Sequence, residues 1–246
     1  MYGISVLILA KNEEKNISDC IKSCSFADEV LVIDDGSTDN TKQIAESLGA
    51  RVIHRSMNGD WGGQQTFAIQ QARNPWIFFI DADERCTPEL AKEIREKVDN
   101  GDKFGYWVRR INHFNRKMVK HGPLSPDWVC RLMPTEGSYV EGFVHPKIVH
   151  QFEDKRLCHD MLHYTYDTWE QYLNKMNHYS TLAAKKNIEN GKKSNFLIDI
   201  VLRPAFAFFK MYILKLGILD GQIGYMLSKN YANYTMNKYI KMKYFK

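Results

Sequence analysis

The chain has 246 residues, enough for one large domain with a buried core or one domain with a small appendage. Its 44% hydrophobic and 26% charged residues are those of an ordinary globular protein. Five cysteines (Cys20, Cys24, Cys86, Cys130, Cys158) form no CxxC pair, and their odd number speaks against a disulfide framework and for a reducing, cytosolic setting. Met1 to Glu14 lacks the basic start and long apolar run of a secretory signal, and no stretch of roughly 18 uncharged apolar residues marks a spanning helix.

The net charge of +5 is unevenly distributed. Lys185 to Lys246 holds 12 Lys/Arg against three acids, a local +9, which leaves −4 for the first 184 residues. A basic C-terminal third points to an anionic partner, with nucleic acid and anionic lipid both in view.

In chain order, Ile4–Leu9 reads as a buried strand, and Glu14–Cys24 as a helix with Ile17, Cys20, Ile21 and Cys24 at helical spacing. Glu29–Asp34 is the second strand; Asp35-Gly36-Ser37 is a turn, and Thr38 or Asp39 is placed to cap a helix running to Leu48. Arg51–His54 is a short third strand, Gly62–Ala72 a third helix, and Trp76–Ile80 a fourth strand. Thr87-Pro88-Glu89 opens a further helix, with Thr87 as cap, Pro88 at the first helical position and Glu89 in the first turn. Tyr106–Ile111, Trp128–Met133 and Lys147–His150 read as short strands, and Thr168–Phe245 as mainly helical.

This alternation predicts an α/β fold built on a doubly wound, mostly parallel sheet with a C-terminal helical extension. Three regions follow: 1–110 with the alternating strands and helices, 111–165 as an extension of the same domain with short strands, and 166–246 as a basic helical extension. Ligands of such sheets bind beyond the carboxyl ends of the strands. Asp34-Asp35 ends the second strand and Asp81-Ala82-Asp83 follows the fourth, so both acid groups fall at that edge.

Two carboxylates one residue apart at a strand end suit a hard divalent cation that also takes phosphate oxygens, and such a cation stabilises a departing nucleoside diphosphate. A bare DxD also occurs as a solvated loop or helix cap. Asp34–Asp39 can both cap a helix and present a carboxylate to a base N–H, with Gly36 allowing close backbone approach. The absence of GxGxxG after the first strand weakens a dinucleotide-binding oxidoreductase.

Ser5–Glu14, Val30–Asp39 and Phe79–Glu84 together resemble, in order and spacing, the three signature segments of glycosyltransferase family 2. The resemblance implies the GT-A fold, a nucleotide-diphospho-sugar donor and inversion at the anomeric carbon. It implies Glu13 near the ribose, Asp34 or Asp35 near the base, Asp81 and Asp83 near ribose, diphosphate and metal, and Gln64 close to the nucleotide. His163-Tyr-Thr-Tyr, Asn177-His-Tyr-Ser and Gly217–Gly224 are further similar to the lipopolysaccharide core β-1,4-glucosyltransferase group, implying UDP-glucose as donor, Mn²⁺ or Mg²⁺, and a heptose of the lipid-linked inner core as acceptor. That group has Val-His-Glu where this chain has Val144-His145-Pro146, so one carboxylate is missing here.

An inverting transfer needs a base for the acceptor hydroxyl. Glu141, before Gly142, and Asp127, after Pro126, are the candidates, with Glu141 favoured. His145 is a candidate metal ligand, although a lone histidine near a strand is more often packed. Arg131 offers a fork of donors to a diphosphate or else forms a surface ion pair.

The tail Lys229–Lys246 carries five lysines, four tyrosines and no acid. With the apolar run Phe196–Leu216 nearby, seating on an anionic membrane at the cytoplasmic face is favoured over nucleic acid, and a packed helical subdomain with a solvated basic face is the alternative. Two other classes remain open at this point: a sugar nucleotidyltransferase, whose glycine-rich triphosphate loop is not found at Ala10–Glu14, and a silent carbohydrate-binding relative.

Overall fold

In a computed structural model, which describes residues 2–143 and 146–244, the chain forms two compact units. The first comprises residues 1–110 and 128–163, and the second residues 111–127 and 164–246.

The first unit begins with β1 (Ile4–Ala10), α1 (Ile17–Ser23), β2 (Glu29–Asp34), α2 (Thr41–Ser47), β3 (Arg51–His54), α3 (Trp61–Gln71) and β4 (Trp76–Phe79). β1 pairs in parallel with β2 and β4, and β2 with β3, so Ala10, Asp34 and His54 are level in register at one edge. This is the parallel half that the alternation predicts. β5 (Glu84–Cys86) and α4 (Pro88–Asn100) follow, then β6 (Gly105–Phe114), β7 (Lys117–Val119), β8 (Asp127–Pro134), β9 (Tyr139–Glu141), β10 (Lys147–Val149) and β11 (Asp154–Tyr166). The sheet order is β3-β2-β1-β4-β8-β6-β11-β5, and β4–β8 and β11–β5 are antiparallel. The sheet is therefore mixed, and its antiparallel neighbours do not need the helical crossovers that join the parallel strands β1 to β4.

Two apolar layers flank the sheet. One packs α1, α2 and α4 side chains (Ile17, Ala45, Ile94) against Ile4, Ile8, Val32 and Phe78. The other packs Ala68 and Ile69 of α3 against Leu7, Leu31, Ile33 and Phe79. Strand alternation sends Ile4, Val6 and Ile8 to one layer and Leu7 to the other, so β1 is buried on both faces.

Local signals fix several ends. Thr87 Oγ1 accepts from Leu90 N at 3.2 Å and Pro88 opens α4, as the sequence predicts. Neither Thr38 nor Asp39 caps α2, because the helix starts later; Asn40 holds the cap position, and Asp39 Oδ1 instead accepts from Thr41 N at 3.0 Å.

The second unit carries α5 (Trp169–Glu189), a π-helical turn (Phe196–Leu202), α6 (Arg203–Phe209) and α7 (Gly221–Tyr244). Thr168 and Gln171 form a reciprocal capping box at the start of α5. Its own core gathers Phe114, Val119, Tyr166, Tyr172 and Leu227. Among the described residues no helix is long and apolar enough to cross a membrane.

Candidate active site

The loops after β1 and β2 are laced together by side chain to backbone bonds. Asn12 N donates to Ser37 Oγ (2.9 Å), Thr38 N to Asn12 Oδ1 (2.8 Å) and Glu13 N to Thr41 Oγ1 (2.7 Å). Gly36 turns the chain at φ +70°, where a side chain is disfavoured. The lacing holds three acids in place. Asp34 is buried and accepts from Ser37 N at 3.2 Å. Asp35 accepts from Met57 N (2.7 Å) and Lys11 Nζ (3.0 Å). Burial works against its charge, but those two donors outweigh it and hold its carboxyl below the ordinary range. Glu13 accepts from Asn16 Nδ2 at 2.8 Å; burial raises its carboxyl, and the negative charges of Asp83 and Asp39 add to that.

Asp81 and Asp83 stand past the carboxyl end of β4 on a scaffold the motif does not reveal. Glu84, fully buried, accepts the backbone N–H of Asp81 at 2.8 Å. Arg131 Nη2 donates to Asp81 Oδ2 (2.5 Å) and to both Glu84 oxygens (2.7 and 2.9 Å), and Arg110 Nη1 reaches Glu84 Oε1 at 3.0 Å. The protein around Asp81 opposes its charge, though the side chain keeps 45% of its surface in solvent. Arg131, then Arg110, outweigh that opposition and keep the carboxyl below its usual range. Burial raises Glu84, with both arginines opposing.

Asp83 is a third exposed, and its Oδ2 lies 3.4 Å from Nε2 of His163 on β11, the neighbour of β5. A carboxylate and an imidazole, both of a kind that divalent cations accept as ligands, thus meet beside the Asp81 carboxylate's segment. The sequence gives His163 no role beyond its place in a family-like motif, because 80 residues separate it from Asp83.

Other candidates fall differently. Arg131 is not an open diphosphate fork: at 6% exposure, its Nη2 is committed to Asp81 and Glu84. Gln64 is neither exposed nor open to a ligand, since at 1% exposure its Nε2 donates to Arg55 O (2.7 Å) and its Oε1 accepts from Arg55 Nη1 (2.5 Å). Asp127 belongs to the second unit and accepts from Asn112 Nδ2 at 3.1 Å. Glu141 is exposed at the end of β9, accepts from Tyr139 Oη at 3.1 Å and is level with Lys147 of β10. His145 lies outside the described residues.

Among the described residues, Cys130, His150 and Asp154 form a separate group whose ligand atoms all lie within 4.8 Å of one another. Sγ to Nε2 is 3.7 Å and Nε2 to Asp154 Oδ1 is 3.3 Å. A thiol in the set favours a softer ion than one shared with a diphosphate, and burial pushes the Cys130 thiol up to about 12.

Acids therefore stand at the carboxyl ends of both β2 and β4, strands of the same parallel half of the sheet. The chain belongs to glycosyl transferase family 2, whose profile matches residues 5–214, and it is a glycosyltransferase. It is 32% identical over 251 residues to an uncharacterized glycosyltransferase of Rickettsia felis, with 94% of this chain and 86% of that one covered. It is 28% identical to the lipopolysaccharide core biosynthesis glycosyltransferase LpsC of Rhizobium meliloti, covering 85% and 80%. Among solved structures, glucosyl-3-phosphoglycerate synthase from Mycobacterium tuberculosis, in complex with Mn²⁺, UDP and glucosyl-3-phosphoglycerate, superposes with a TM-score of 0.42 at 24% identity. The chain spans 57% of that protein's length, with 55% of its own covered.

Proposed function

We propose that this glycosyltransferase moves a hexose, glucose from UDP-glucose, with inversion onto a lipid-linked saccharide, a heptose of a lipopolysaccharide inner core. The observation that carries the reading is the shared edge: Asp34 and Asp35 end β2, and Asp81 and Asp83 follow β4, two strands away in the sheet. Asp34 or Asp35 receives the base and Glu13 the ribose. Asp83, Asp81 and His163 would hold Mn²⁺ or Mg²⁺, which neutralises charge on the departing UDP. Arg131 and Glu84 fix the orientation of Asp81 before substrate arrives, so little reorganisation is left for the reaction. Glu141 takes the proton of the acceptor hydroxyl as the anomeric carbon is attacked. The similarity to LpsC supports the acceptor class.

An anionic membrane surface is the proposed seat. In the second unit, Phe196, Leu197, Leu202, Phe206, Leu214 and Leu219 each expose more than half of their surface. Exposed Arg203, Lys210 and Lys215 are interspersed among them. Apolar side chains flanked by cations match the acyl and headgroup layers of an anionic bilayer.

The test is transfer from a panel of radiolabelled UDP-sugars to heptose-containing core acceptors, with Mn²⁺, Mg²⁺ or EDTA, followed by linkage analysis. Metal-dependent glucose transfer is expected, abolished by Asp83→Asn; Glu141→Gln should lose transfer while keeping UDP affinity. Full transfer in EDTA, or no UDP binding with either metal, defeats the reading. Flotation with vesicles containing anionic lipid tests the seat: failure to float at low salt removes it.

A further inference from the structure

Cys130 of β8, His150 after β10 and Asp154 at the start of β11 form a group of ligand atoms that the proposed reaction does not use. Sγ, Nε2 and a carboxylate oxygen lie within 4.8 Å of one another, and all three residues belong to the first unit. Hydrogen bonding does not account for their meeting. Nε2 is a single atom: as acceptor from the thiol it has no proton for the carboxylate, and as donor to the carboxylate it offers the S–H no lone pair. The ring's other nitrogen, Nδ1, is buried without a partner among the described residues, so no hydrogen bond on that side orients the imidazole. The separation of Nε2 from Asp154 Oδ1, 3.3 Å, is also longer than an ordinary imidazole–carboxylate bond. His121 with Asp220 and His159 with Glu93 both close to 2.9 Å.

A cation among the three atoms does account for the distances. Tetrahedral zinc, with sulfur at about 2.3 Å and nitrogen and oxygen at about 2.0–2.2 Å, sets the S···N edge at about 3.6 Å and the N···O edge at about 3.4 Å. The corresponding separations here are 3.7 and 3.3 Å. The backbone leaves room for the ring. A Cβ at Gly105, the first residue of β6, would stand 2.2 Å from both Cε1 and Nε2 of His150 and 3.1 Å from Asp154 Oδ1, so glycine admits the imidazole edge. Gly105 N also donates to Glu153 O at 2.9 Å, which fixes the 150–154 connection against β6. Cys130 is buried and the His150 side chain 9% exposed, but Asp154 keeps 57% of its side chain in solvent. An ion enters on the Asp154 side, and a water completes the tetrahedron there.

We propose that Cys130, His150 and Asp154 bind one Zn²⁺, with water as the fourth ligand, apart from the cation proposed for Asp81, Asp83 and His163. The thiolate selects zinc over Mg²⁺ and Mn²⁺, which prefer all-oxygen or oxygen-rich sets. The thiol proton passes to solvent as sulfur bonds to the metal, so binding releases it. The ion joins β8 to the start of β11 and closes the chain over β9 and β10, the antiparallel pair that carries Glu141. Its role is structural: it binds the folded chain and stabilises it by mass action. The site stands whatever the donor and acceptor are.

The test uses the full-length chain, freed of metal by a chelator and titrated with Zn²⁺ or Co²⁺ alone, without nucleotide. Co²⁺ should give a thiolate-to-metal charge-transfer band that saturates at one equivalent. Asp83→Asn and Cys158→Ser should keep that band, and Cys130→Ser should lose it. Zn²⁺ should displace the Co²⁺ and, at a hundredfold excess over Kd, raise the melting temperature by roughly 5–11 °C. Asp154→Asn, at an exposed position, should weaken Zn²⁺ by more than the roughly tenfold that a lost outer-shell partner costs. Gly105→Ala should weaken it too, by displacing the His150 ring. A wild type without the band, or a band that persists in Cys130→Ser, overturns the site. So does Asp154→Asn, folded by circular dichroism, with Zn²⁺ affinity within twofold of wild type; this arm holds even where Cys130→Ser fails to fold.

Discussion

Replacing Arg131 by Met tests whether a buried ion network holds Asp81 in place. Arg131 is 6% exposed, and a single nitrogen serves Asp81 and both oxygens of Glu84. Removing one partner of a buried pair costs about 3–5 kcal/mol, because the remaining charge stays buried without compensation. Glu84 would keep Arg110 at 3.0 Å and the Asp81 N–H at 2.8 Å, which places the expected loss at the low end, about 3 kcal/mol. For a protein of this size that lowers the melting temperature by roughly 6–12 °C. The loss has a pH signature. Burial already raises the Glu84 carboxyl, and without Arg131 it rises further. A raised acid destabilises the fold fully above its folded pKa, and the penalty fades as pH falls toward the unfolded value of about 4.3. Urea unfolding of wild type, Arg131→Met, Glu84→Gln and the double variant at pH 8 and pH 5 measures both effects. The double variant should recover part of the loss through a coupling of about 1–3 kcal/mol. A loss below about 1 kcal/mol at pH 8, a gap that widens toward acid, or strict additivity would refute the network argument.

Three further outcomes are expected. Gly62→Ala should destabilise by about 1–3 kcal/mol, because a Cβ there would stand 2.2 Å from Gly142 O, and the 141–143 segment must shift; proteolysis and thermal melting check this. Thr87→Ala should cost about 1 kcal/mol by removing the bond to Leu90 N, with Thr87→Ser retaining most of the stability in the same melts. Stability should fall with acid through Glu93. Burial opposes its charge, but the N–H groups of Cys158 and His159 and the His159 ring outweigh that and depress its carboxyl. Its contribution is present above the unfolded value of about 4.3 and is lost as pH falls through the lower folded one. Glu93→Gln should therefore melt lower than wild type at pH 7 and alike at pH 3; an equal deficit at both pH values would count against it.

Much of the first hundred residues was legible because its signals are local. Apolar β-branched runs mark β1, β2 and β4, and Thr87-Pro88 marks the start of α4, each decided within a few residues. Asp34, Asp35, Asp81 and Asp83 share an edge because parallel strands joined by short crossovers bring their carboxyl ends together. The mixed half of the sheet was less legible, since β8, β6 and β11 are interrupted in sequence by the segments of the second unit.

The DxD triplet shows the division most clearly. Sequence alone determined that two carboxylates follow a buried strand, and with the neighbouring segments it determined the family. Only the tertiary structure decided their surroundings. It made Arg131 a buried counter-ion, turned Gln64 inward to Arg55, and set His163 3.4 Å from Asp83. A charged side chain's role depends on what shares its burial and its few ångströms of space, and those neighbours lie 50 residues away for Arg131 and Asp81. No local pattern encodes that pairing, because it is made by packing.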